Sequence, residues 1–221
     1  MSSSERRWPL WLQPWVTVAL LALPIANWIK CPLLLLFWWW SFGPTRRSER
    51  WLFGLSCLLF TVMNLMALRQ GIFAFTSPDL LGLPWYEFFM WGFYLLHARR
   101  LLGPACSAPA TAVCWLLMGL FALCFTALSD PTWLLLASAS LLAVTRWLDA
   151  DPLAWRHAGY LLLLGALFEY VGVHSGQWHY PGAPWGGVPL WFVTMWGGIG
   201  FFAQRVAWSP LLRLDARQSA G

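Results

Sequence analysis

Two carboxylates set in apolar surroundings are the residues whose chemistry most needs explaining. The chain has nine Asp and Glu residues; seven occupy termini or polar turns, and Glu87 and Glu169 alone fall inside apolar runs. An ionised carboxylate at bilayer depth costs roughly 2.5–3.5 kcal/mol even on a lenient scale, so such acids usually face a cavity and serve function. The plainer role is a neutral acid bonded to a neighbouring helix, with Asn64 or Tyr86 as partner. Aromatic faces stabilise cations by up to about 2 kcal/mol each where water is excluded. With 19 Trp and 15 Phe, the chain has more rings than two interfacial belts require. A single Trp reads as belt or packing, so only a cluster carries weight. The four histidines match no metal-ligand spacing: His97, His174 and His179 read as interfacial, and His157 begins the seventh span. His174, five residues after Glu169, is placed to adjust the proton on that acid.

The elements that position these groups are marked by an internal repeat. GIFAFTSPDLLGLPWYEFFMWG begins at Gly71 and GQWHYPGAPWGGVPLWFVTMWG begins at Gly176, an offset of 176 − 71 = 105. Without a gap, Gly71, Gly82 and Pro84 fall on Gly176, Gly187 and Pro189, and Met90, Trp91 and Gly92 on Met195, Trp196 and Gly197. Phe73 and Phe75 fall on Trp178 and Tyr180. Shared ancestry of two halves, residues 1–105 and 106–221, explains this better than composition does. The acids break the symmetry: Glu87 corresponds to Phe192, and Glu169 to Asn64.

Hydrophobic residues make up 59% of the chain and charged ones 10%. A soluble domain carries about 25% charged residues, so the expected class is an all-α polytopic membrane protein. Apolar runs place about eight transmembrane helices, near 8–26, 27–43, 51–68, 83–98, 109–128, 131–148, 156–173 and 187–207. Four spans per copy send both halves through the bilayer in the same sense, as two parallel four-helix repeats about a pseudo-twofold along the membrane normal. Each Gly-aromatic-Pro segment then lies in an outer loop before the fourth span of its half. No cleavable signal peptide is evident. Of the 14 Lys and Arg, only Lys30 and Arg69 fall on the outer side in this arrangement. That bias puts both termini in the cytoplasm, with a bacterial inner membrane as the expected location. The net charge of +5 therefore reports topology and contact with membrane lipids, not nucleic acid. Cys31, Cys57, Cys106, Cys114 and Cys124 read as small hydrophobes.

Gly71-Ile-Phe-Ala-Phe followed by Gly82-Leu-Pro-Trp-Tyr-Glu87-Phe-Phe resembles the repeated motif of the heterodimeric and fused-type lycopene cyclases. The second copy, Glu169-Tyr-Val-Gly172 through Gly176-Gln-Trp-His-Tyr180 to Gly187-Val-Pro-Leu-Trp191, is similar to the carotenoid hydratases acting on bisanhydrobacterioruberin-type polyenes. The resemblance covers residues 60–98 and 165–207. Only the second glutamate of the cyclase Pro-x-Glu-Glu run is kept, as Glu87, and Asn64 stands at the earlier acidic position. It implies cofactor-free acid catalysis on an isoprenoid or carotenoid double bond, by a carotenoid biosynthesis enzyme of the isomerase or lyase type. One glutamate, Glu169 by preference, protonates the alkene; aromatic faces hold the cation; the other carboxylate recovers a proton as a ring closes or water adds. The implied catalytic residues are Glu87 and Glu169. The implied substrate-binding residues are Asn64, Phe73, Tyr86, Trp91, His174, Trp178, Tyr180, Trp191 and Trp196, with no metal.

Two non-enzymatic readings stay open. Parallel four-span repeats with a central polar pair also suit a carrier of lipid or a small hydrophobic solute. A scaffold subunit of a membrane complex would use small-residue surfaces such as Ala137–Ala143.

Overall fold

The computed structural model describes residues 7–103, 110–183 and 185–219, with side chains described within 10–103, 110–183 and 185–206. Arg6, Cys106, the boundary between residues 105 and 106, and the side chains of Arg7, Arg213 and Arg217 lie outside that description. The order is α1 (Arg7–Ala22), α2 (Asn27–Phe42), α3 (Arg47–Arg69), β1 (Ala74–Phe75), α4 (Glu87–Leu102), α5 (Ala112–Ala127), α6 (Pro131–Leu148), α7 (Pro152–His174), β2 (Trp178–His179) and α8 (Trp191–Ser219). The eight helices fall on the eight apolar runs. Among the described residues, Arg47–Arg69 alone is long and apolar enough to cross a membrane by length and composition, and Leu10–Ala22 and Ala112–Ala127 are apolar but shorter.

Local chemistry sets the helix starts. Asp130 caps α6 by accepting from the Thr132 and Trp133 amides, Asp151 caps α7 through the Leu153 amide, and each is followed by Pro at the first helical position. Thr111 caps α5 through Cys114. Glu49 reaches back to the Arg46 amide at the start of α3. Ala26, the residue before α2, supplies no side-chain cap.

The 105-residue offset seen in the sequence relates element bounds as well. α1 and α5 differ by 112 − 7 and 127 − 22, and α3 and α7 by 152 − 47 and 174 − 69, each 105. The isolated bridges Leu80–Leu83 and Trp185–Val188 carry it, as do the positive φ angles of Gly71 (68°) with Gly176 (71°) and Gly82 (85°) with Gly187 (82°). Only glycine adopts such turns without strain. β1 and β2 pair antiparallel with Ala74 opposite His179, positions also 105 apart.

α3 packs on α4 and α7 on α8, and α3, α4, α7 and α8 meet at the centre. α1 reaches across to α7, and α5 to α3. The main core runs from Leu21, Leu34 and Trp38 through Phe93, Tyr94 and Phe168 to Trp196. The exterior is apolar: Trp28, Trp39, Trp40, Trp133, Trp147, Leu58 and Leu163 are all exposed. A surface of this kind is solvated by lipid rather than water, and the chain is an integral membrane protein of all-α architecture.

Two polar residues depart from expectation. His97 is fully buried instead of interfacial, with Nδ1 on Gln13 Oε1 at 2.7 Å and Nε2 on the Tyr160 hydroxyl. Its place on α4, the central helix of the first half, turns it into the core. Ser138, in the small-residue run of α6, is also buried, bonded to Thr194 on α8 at 2.7 Å. Among the described residues, Cys31, Cys57 and Cys124 form no disulfide.

Candidate functional site

Near the ends of the central helices that carry β1 and β2, α3, α4, α7 and α8 enclose a cavity with about 710 Å³ of space, part of it open to the surface. Its polar groups come from opposite halves. In the first, Asn64 on α3 donates from Nδ2 to Glu87 Oε1 on the opening turn of α4, at 2.8 Å. In the second, Glu169 on α7 is buried and accepts three bonds: Oε2 from Trp178 Nε1 at 3.1 Å and from the Tyr180 hydroxyl at 2.8 Å, Oε1 from Trp196 Nε1 at 3.1 Å. Both oxygens of Glu169 are engaged. Glu87 keeps Oε2 without a hydrogen-bond partner among the described residues.

The walls are rings. Trp91 and Trp196 stack at 4.7 Å, Phe60 covers the other face of Trp91 at 4.2 Å, and Tyr94 stands edge-on to both tryptophans. Phe75 meets Trp178, and Phe73 meets Tyr180, which stands edge-on to Trp191. Two glycines on α7 make room for indoles. A Cβ on Gly165 would lie 2.2 Å from Trp196, and one on Gly172 2.0 Å from Trp178.

Of the residues singled out from the sequence, Asn64, Phe73, Glu87, Trp91, Glu169, Trp178, Tyr180, Trp191 and Trp196 all line this cavity. Tyr86 does not: it is buried on the other side of the α4 start, against Lys30 and Gln177. His174 is exposed, with Nδ1 on the Tyr170 carbonyl at 2.8 Å, and makes no bond to Glu169. Trp85 and Trp185 are exposed in their loops. Met63, Tyr94, Phe125, Phe168 and Met195 also line the cavity. Tyr94 has a signal in the sequence, because Glu87, Trp91 and Tyr94 follow the i, i+4, i+7 spacing of one helix face. Among the described residues no group of three His, Cys, Asp or Glu side chains could hold a metal ion.

Known proteins correct the resemblance. No protein-family model and no curated protein matches the chain. Solved structures do match in fold. One is a cross-linked trimer of an arginine-to-cysteine variant of MvINS, with TM-score 0.64 and 16% identity, covering 80% of this chain and 98% of that one. Another is MvINS itself, a mycobacterial Insig homologue from Mycobacterium vanbaalenii, with TM-score 0.63 and 14% identity, covering 75% of this chain and 94% of that one. The likeness to lycopene cyclases and carotenoid hydratases is thereby overturned. Acid catalysis on a carotenoid double bond falls with it, as do carotenoid biosynthesis and isomerase activity. The motifs misled for a physical reason. Gly at positive φ, interfacial aromatics and Pro before a helix are what any short loop leading into an apolar helix requires. Glu169, moreover, is held as an acceptor by three donors.

Proposed function

We propose that this chain is a non-catalytic membrane protein that holds one neutral, hydroxyl-bearing lipid or similar hydrophobic solute between two four-helix halves. The observation carrying this reading is Glu87 Oε2, without a hydrogen-bond partner among the described residues, on the wall of a largely apolar, ring-rich cavity. An apolar body fits against the stacked rings, and a ligand hydroxyl donates to that oxygen while Asn64 holds the other. Few polar groups in a largely apolar pocket is the usual composition of a small-molecule site.

The shared offset of helix bounds, bridges and turns supports the two halves as parallel repeats about a pseudo-twofold along the membrane normal, divided near residues 105 and 106. The arginine-rich ends of the helices support cytoplasmic termini in a bacterial inner membrane. The roles of Asn64, Phe73, Trp91, Trp178, Tyr180, Trp191 and Trp196 are then to shape the wall.

The test is lipid retention. The full chain is purified from membranes in mild detergent, extracted with solvent and assayed by mass spectrometry, beside Ala67→Phe. Ala67 lines the cavity, and a phenyl group there fills it. The expected result is one hydroxylated neutral lipid near one per chain in the native protein and its loss from Ala67→Phe. Equal lipid in both, or none in either, removes the reading.

A further inference from the structure

Outside the cavity, a second pocket lies where the α1–α2 turn meets the two loops that carry β1 and β2. Ala26, Asn27, Lys30, Ser77, Tyr86 and Gln177 contribute to its lining, around about 650 Å³ of partly open space. Lys30 is 1% exposed. Its Nζ donates to the Leu21 carbonyl at 2.8 Å and to Gln177 Oε1 at 2.7 Å, and lies 5.5 Å from the centre of the Tyr86 ring. Both acceptors are neutral. An ammonium has three N–H donors, so one is left over, and no carboxylate among the described residues is ion-paired with it. Asp79, on the neighbouring loop, spends an oxygen on the Trp85 amide.

The start of α2 adds a second source of positive potential. The Ile29 and Lys30 amides both turn back to the Ala26 carbonyl, and those of Asn27 and Trp28 have no acceptor among the described residues. Ala26, the cap residue, has no side chain able to satisfy them. A helix start of this kind attracts anions. Here it is joined by a buried ammonium with no counter-ion among the described residues. Asn27 Nδ2 meanwhile bonds the Ser77 carbonyl at 2.6 Å and fixes the wall. The second half has no counterpart: the positions 105 residues on from Asn27 and Lys30 are Thr132 and Leu135.

We propose that this pocket binds a phosphate-type oxyanion, seated between the Lys30 ammonium and the uncapped start of α2. The group is a lipid phosphate monoester or a free phosphate. Charge-assisted bonds of this sort are the strong ones, and the anion supplies the charge partner that the fold leaves out. The site is separate from the cavity proposed to hold a neutral lipid, so failure of either leaves the other standing.

The test uses the full chain. Thermal unfolding is followed against inorganic phosphate in neutral detergent, with chloride at matched ionic strength, and in nanodiscs of phosphatidic acid against phosphatidylcholine. The expected result is stabilisation by one or both phosphate sources, retained by Lys30→Arg and weakened at least about tenfold in affinity by Lys30→Met. Response to inorganic phosphate assigns a soluble ligand, and response to phosphatidic acid alone assigns a lipid headgroup. Ala26→Asp is the second variant, because an Asp there caps α2 and places a carboxylate beside Lys30. It should unfold at higher temperature without phosphate and lose the phosphate response. No response to either source, or an undiminished response in Lys30→Met or Ala26→Asp, overturns the proposal.

Discussion

Trp91 and Trp196 stack with their ring centroids 4.7 Å apart and their planes 22° from parallel, and they occupy positions separated by 196 − 91 = 105 residues. Around them the same index shift exchanges Phe75–Trp178 with Tyr180–Phe73. The surroundings are not equivalent. Trp196 donates to Glu169 and rests on Gly165, whereas Trp91 is covered by Phe60, the residue matching Gly165. Two like halves thus build an unlike pocket, and each difference between them is open to mutation.

The two carboxylates should respond differently to loss of charge. Glu87→Gln keeps an oxygen for Asn64 Nδ2. Glu169→Gln has one acceptor oxygen for three donors, so either amide orientation leaves an indole N–H of Trp178 or Trp196 facing an NH₂ group. An unsatisfied buried donor costs about 1–3 kcal/mol. Thermal unfolding in detergent should rank Glu169→Gln well below Glu87→Gln. The reverse order would mean that the indole bonds contribute little.

Gly172→Ala and Gly165→Ala should both destabilise, by about 1–3 kcal/mol, the range for overpacking a filled site. In each case the new methyl group falls inside an indole ring, at 2.0 Å for Trp178 and 2.2 Å for Trp196. Gly159→Ala, on the same helix with nothing within 4 Å, is the control and should be neutral or slightly stabilising. Unfolding temperatures for the three variants decide this. Lipid retention should fall with the first two alone, because the displaced indoles bond Glu169.

These glycines mark what could be read in advance. Glu87, Glu169 and most of the wall aromatics were legible because the 105-residue offset and the rarity of acids in apolar runs are one-dimensional signals. The helices were legible as apolar runs bounded by Pro, Asp and Gly. The pairing of Ala74 with His179 was not, since a two-residue strand has no periodicity and its partner comes from the other half. Nor were the buried positions of His97 and Lys30, whose partners Gln13, Tyr160 and Gln177 lie on other elements. Tyr86 adjoins Glu87 in sequence yet faces the other pocket, because neighbouring residues at a helix start point about 100° apart.

Arg100 and Arg205, again 105 apart, each tie the fourth helix of a half to the segment entering its third. Arg100 grips both oxygens of Glu49 at 2.7 Å and bonds the Phe42 and Pro44 carbonyls. Arg205 pairs with Asp149 at 2.7 Å and Asp151 at 2.8 Å. The Arg205 side chain is 6% exposed and that of Arg100 18%. Arg205→Ala, which strands two acids, should therefore be the costlier change, at about 3–5 kcal/mol. Lysine should restore little at Arg100, since one ammonium cannot reproduce a fork that serves a carboxylate and two carbonyls. Equal stability of Arg100→Lys and the native protein would count against the fork.

Cutting the chain between residues 105 and 106 tests whether the halves are separate units that need each other. Contacts across the cut include the β1–β2 bonds, the Thr76 amide on the Gln177 carbonyl at 3.0 Å, the Trp91–Trp196 stack and the packing of α1 on α7. Each half alone exposes its share of the cavity wall, including Glu169 in the second, while Glu87 and Asn64 remain together in the first. Co-expressed halves, one tagged, should therefore co-purify at one to one and keep the bound lipid, whereas each expressed alone should be degraded or aggregate. Stable single halves that do not associate would show that the interface between them is incidental, and would remove the cavity as a shared site.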